Sequence, residues 1–116
     1  MTETERQAQR VEALQMGLEA RRKAMQVKIQ IAAGSTDPVA VIRAQEVPVQ
    51  AYKLLRSVRG IGVAKAERIL TQANVSRLSR IDRISAYSAN RLADVLEAKL
   101  AHMAEVRATR VREGRA

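Results

Sequence analysis

The stretch Leu54-Leu55-Arg56-Ser57-Val58-Arg59-Gly60-Ile61-Gly62-Val63-Ala64-Lys65-Ala66-Glu67-Arg68-Ile69-Leu70 holds the residue types best suited to gripping an anion. Glycine lacks a Cβ, so Gly60 and Gly62 allow a tight turn with unusual dihedrals and a close approach by a partner. The first amides of a helix starting at Val63 have no intrahelical acceptor. Those N–H groups, at the positive end of the helix, suit a phosphate. Lys65 and Arg68 lie one turn apart on that helix, and Arg59 stands just before the turn, so three cations ring the amides of Gly60, Ile61, Gly62 and Val63. Leu55 and Val58 are spaced to point inward, Ala66 is small enough for a helix crossing, and Ile69 and Leu70 close an apolar core.

A second cationic segment follows, Ser76-Arg77-Leu78-Ser79-Arg80-Ile81-Asp82-Arg83-Ile84-Ser85. Arg77, Arg80 and Arg83 recur every three residues, with Leu78, Ile81 and Ile84 between them. In tight turns or a 3-10 helix this spacing puts the arginines on one side and the apolar residues on the other. Arginines so placed can bond phosphates or enter a minor groove. The plainer reading is a solvated loop in which Asp82 neutralises its neighbours.

These segments need helices to hold them. Residues 3–33, rich in Ala, Gln, Glu, Arg and Met, read as one long helix stopped by Gly34. Asp37-Pro38 starts a short helix over about 38–45, Asp as N-cap and Pro at the first position. Further helices are expected over about 49–58 and 63–72, then turns over 74–86, then a last helix from near Ser88 past residue 105. No strand pattern or repeat is visible. On a wheel at 100° per residue the long helix shows two apolar faces. Val11, Leu14, Leu18, Met25 and Ile29 share one; Met16, Ala20, Val27 and Ile31 share the other. Glu5, Glu12 and Glu19 flank one side, and Arg10, Arg21 and Lys28 the other. Two such faces fit a helix between elements or one covered by a second chain; simple exposure of one face, in a monomer, is the preferred reading.

Composition narrows the function. The chain has 116 residues, enough for one domain, with no Cys, Phe or Trp. Its net charge is +9, divided as +1 over residues 1–37, +6 over 38–96 and +2 over 97–116. A basic excess placed this way favours polyanions. No apolar run reaches the length of a membrane span or resembles a signal peptide, so no membrane partner is expected. His102 is the sole histidine, and no His/Asp/Glu cluster has metal-ligand spacing. No catalytic residue, metal or cofactor is therefore expected, and a base-flipping pocket would need room and aromatic residues that the chain lacks.

The hairpin segment is similar to the helix–hairpin–helix pattern. From about Ala13 to Leu96 the sequence resembles the actinobacterial (mycobacterial-type) integration host factor family. The residues that carry this are Ala20-Arg21-Arg22, Gly34, the Gly-x-x-Lys-Ala of Gly62, Lys65 and Ala66, and Arg80 in the second turn. The resemblance implies an all-α fold, a long N-terminal helix (1–36) and a helix–two-turns–helix unit (37–100), with a basic extension (101–116) past the usual family end. It implies binding of double-stranded DNA with little sequence specificity, bending or compaction in the cytoplasmic nucleoid, and help to a phage integrase. It also implies that Arg21 and Arg22 join the DNA contacts. The chain departs from the family at Arg59, Val63, Ser79, Asp82, Arg83 and Ser85, where Pro, Lys, Arg, Arg, Gly and Gly are usual. Such divergence suits a phage-borne or paralogous copy.

The leading expectation is thus a non-enzymatic DNA-binding protein contacting DNA through Arg21, Arg22, Arg59, Gly60, Ile61, Gly62, Val63, Lys65, Arg68, Arg77, Arg80 and Arg83. An RNA-binding ribosome-associated protein and a helical adaptor using the second apolar face of the long helix are the alternatives. In the extension, Arg107, Arg110, Arg112 and Arg115 form either a DNA-tracking helix or a disordered basic tail.

Overall fold

A computed structural model describes residues 2–114, so Arg115 lies outside the described residues. Five helices follow one another: α1 (Glu3–Ala32), α2 (Pro38–Ala44), α3 (Ala51–Ser57), α4 (Val63–Ala73) and α5 (Ala86–Glu113). Each begins and ends for a local reason. Thr2 and Glu5 form a reciprocal capping box at the start of α1. At its end Gly34 adopts φ +79°, and the amides of Gly34 and Ser35 bond the carbonyls of Ile31 and Gln30. That double closure is the Schellman arrangement, which the missing Cβ of glycine favours. Asp37 caps α2 through the Val39 amide, with Pro38 at the first helical position. Asn74, left-handed at φ 57°, ends α4.

The α5 start differs from the sequence expectation. Ser85 is the cap, and its hydroxyl accepts from the Ser88 amide. Ser88 is the third residue of the helix, so the helix begins two residues earlier than expected.

The core lies where α2, α3, α4 and the first half of α5 meet. Ile42, Leu54, Leu55, Ile69, Ile81, Leu92 and Leu96 are its largest fully buried side chains. These are aliphatic residues without polar atoms, and burying each contributes roughly 1.5–3 kcal/mol. Arg43 ties α2 to α5 from the outside, donating to Asp94 at 2.8 Å and Glu97 at 3.3 Å. The second turn is stitched beneath. Ala51 N donates to Ser79 O, Ile81 N to Val49 O, and the Gln45 amide group to the carbonyls of Ile81 and Ile84.

Two helices overhang this body. Only the C-terminal part of α1 packs on it, through Ala24, Val27 and Ile31. The other apolar face stays exposed, Leu14 at 68% and Ile29 at 61%. In α5 the last buried residue is Leu96, with Leu100 and Met103 packed against the rim of the core. At 1.5 Å per residue α1 is about 45 Å long and α5 about 42 Å. The molecule is 76 Å in its longest dimension, well beyond the length of either helix alone.

Candidate nucleic-acid interface

The hairpin between α3 and α4 distinguishes its two glycines. Gly60 has φ +83°, in the left-handed region that favours glycine. Gly62 is extended (φ −90°, ψ −169°), a conformation open to any residue, and a Cβ there would meet nothing within 4 Å. The expectation of unusual dihedrals thus holds at Gly60 alone.

The amides also divide. Ile61 N is spent on the Val58 carbonyl at 3.2 Å, which removes one of the four amides expected to face a ligand. Gly62 caps α4 with no side chain to accept from its first turn. Ala66 N, bonded to Gly62 O, is the first amide of α4 with a backbone acceptor. Among the described residues the N–H groups of Gly62, Val63, Ala64 and Lys65 have no protein acceptor. The backbone stops capping itself because the turn that would supply a Ser, Asp or Asn side chain supplies glycine instead.

Lys65 Nζ reaches back to Gly60 O at 3.1 Å, which pins the ammonium beside these amides. Its partner is a neutral carbonyl, so the positive charge is undiminished. Arg59 and Arg68 are exposed and have no carboxylate partner among the described residues.

The second turn does not present its arginines as one row. Arg77 stacks on the Tyr52 ring, 4.4 Å from its centroid, and lies 3.7 Å from Glu67. Arg80 is gripped in two-point fashion by Asp82, at 3.0 and 2.7 Å. Arg83 is exposed and carries no ion pair among the described residues. The apolar side is broken as well: Ile81 is fully buried, whereas Leu78 is 70% exposed. The segment is a string of turns anchored at Ile81 rather than one tight helix, so a three-residue repeat does not become a face.

The structure brings the second turn to α1. Arg21, Lys28, Lys53 and Arg80 line one cleft, floored by Ala20, Ala24 and Val49, and no acidic residue lines it. Arg22, 100° further round the helix, faces elsewhere and is exposed. The long-helix pair is therefore split, with Arg21 in the cleft beside Arg80 and Arg22 outside it. Lys53 was missed in the sequence. Its neighbours Leu54 and Leu55 are buried, which sets the register of α3 and leaves Lys53 on the outside.

No family model matches the chain, and no curated protein matches it. Among solved structures it is similar to that of sIHF bound to an 8 bp palindromic DNA, with a TM-score of 0.59 and 22% sequence identity. The match covers 72% of this chain and 97% of that one, and at this identity the likeness is one of fold. An all-α chain of this architecture is what the sequence led us to expect.

Proposed function

We propose that this protein is a non-enzymatic architectural protein that binds double-stranded DNA through its sugar-phosphate backbone. The observation that carries the reading is the hairpin itself: amides from Gly62 to Lys65 without an acceptor, beside a lysine whose charge no carboxylate neutralises, among the described residues. Backbone N–H groups at a helix start are phosphate ligands by geometry and charge. They carry no base information, so binding is largely indifferent to sequence. The cleft of Arg21, Lys28, Lys53 and Arg80 supplies a second set of phosphate contacts. The fold shared with sIHF, solved on duplex DNA, supports the same partner. Arg59, Arg68, Arg77 and Arg83 complete the proposed contact set. Bending of the duplex, residence in the nucleoid and help to a phage integrase follow from the resemblance to integration host factors.

The test is a binding series across salt on several unrelated duplexes. If about four phosphates are neutralised, log affinity falls with log salt at a slope of about −3.6, or about 150-fold from about 50 to about 200 mM. Lys65→Glu should weaken binding to every duplex alike. Unchanged binding by that variant, or preference for structured RNA in competition at fixed salt, overturns the proposal.

A further inference from the structure

The α5 helix does not end where the core ends. It runs on to Glu113, and its first overhanging turns lie against the hairpin. Met103 is the point of attachment. It is half-buried, and a Cβ added at Gly60 would stand 2.6 Å from its Cε. Beyond that contact, α5 and the hairpin form two walls of an open cleft of about 380 Å³. Lys65 comes from the hairpin wall; Lys99, Arg107 and Arg110 come from α5. No carboxylate lines the cleft, and none of these four cations has an ion-pair partner among the described residues. The acids of the overhang are turned away: Glu105 is exposed and absent from the lining.

We infer that the α5 overhang is a second DNA-contacting wall, in which Lys99, Arg107 and Arg110 neutralise phosphates next to those held by the hairpin. The inference rests on the DNA-binding reading and assigns it residues outside the hairpin and second turn. Four like charges around one cleft repel each other in the free protein. A polyanion relieves that repulsion, and each phosphate neutralised releases condensed counterions. Arginines near a helix C-terminus also complement its dipole. That role would be served equally by Arg112, which sits in the same last turn but does not line the cleft. The difference between Arg110 and Arg112 therefore separates a DNA wall from a helix cap or a merely basic tail.

The experiment measures duplex affinity across salt for the full chain, for Arg107→Gln/Arg110→Gln, and for Arg112→Gln. Far-UV circular dichroism checks that helix content is unchanged. The double variant should flatten the slope by about 1.8, with a loss of about 60-fold at about 0.1 M salt. Arg112→Gln should leave the slope unaltered. Equal losses per charge removed, with Arg112→Gln flattening the slope by about 0.9, would show a diffuse electrostatic tail and overturn the inference, as would a double variant that binds like the unaltered chain. In that last case a loss on Lys65→Glu leaves the hairpin reading standing. Failure of the unaltered chain to bind duplex DNA sinks both.

Discussion

Replacing Gly62 by Ser should make the protein more stable and a poorer DNA binder at once. Gly62 occupies the N-cap position of α4 with φ −90° and ψ −169°, which serine adopts without strain. The space is free, because nothing lies within 4 Å of a Cβ built there. A serine hydroxyl would accept from the Ala64 or Lys65 amide, gaining a few tenths of a kcal/mol over glycine as a cap. Loss of glycine freedom in the unfolded chain adds roughly 0.4–1 kcal/mol. The sum is about 1 kcal/mol, or a rise of about 4 °C in the melting midpoint. The same hydroxyl competes with a phosphate for that amide. A hydrogen bond to a charged group contributes about 1.5–3 kcal/mol, so duplex affinity should fall by roughly 10- to 100-fold. Gly60→Ser gives the contrasting result on stability. At φ +83° a side chain costs about 1–2 kcal/mol, and its Cβ, 2.6 Å from Met103 Cε, must also displace that methyl group, so the midpoint should drop by at least about 4–8 °C. Thermal unfolding by circular dichroism and fluorescence anisotropy on a labelled duplex read the two effects separately. A Gly62→Ser protein that binds as tightly as the original would refute the idea that these amides hold phosphate. One that melts as low as Gly60→Ser would refute the division of labour between the glycines.

Two further predictions use the ion pairs. Asp82→Asn should tighten duplex binding several-fold, since it releases Arg80 from its two-point carboxylate clamp into the Arg21–Lys28–Lys53 cleft; unchanged or weaker binding in titrations at matched salt would place Arg80 outside the interface. Arg43→Ala should lower the melting midpoint slightly at low salt by cutting the link from α2 to Asp94 and Glu97. That deficit should shrink at about 1 M salt, where exposed charges are screened within about 3 Å, and a deficit that persists would mean that the side chain acts through packing instead.

The elements were legible in the sequence because each carried its own signal. Asp37-Pro38 marked the start of α2, Gly34 the end of α1, and the Leu54–Leu70 pattern placed both helices of the hairpin. What could not be read was partner choice. Whether Arg80 faces a ligand or Asp82, and whether Arg77 reaches out or lies on Tyr52, depends on where a string of turns is pinned; the pins are the backbone bonds at Val49, Ser79 and Ile81. The Ile61 amide was likewise lost to a local carbonyl that spacing alone does not disclose. Lys99, Arg107 and Arg110 had a usable signal. They recur with Met103 at helical spacing, one face of a helix that continues beyond the core. Choosing between an ordered helix and a loose tail needed the contact of Met103 with Gly60.

The overhanging ends of α1 and α5 set charge apart from packing. Residues such as Arg6, Arg10, Arg107 and Arg110 can be exchanged with little effect on the buried aliphatic cluster, because all four are exposed on the overhangs. The surface charge of these ends can therefore change one side chain at a time while the folded scaffold stays as it is. A protein built this way can drift far in sequence at its extremities and still keep the same fold.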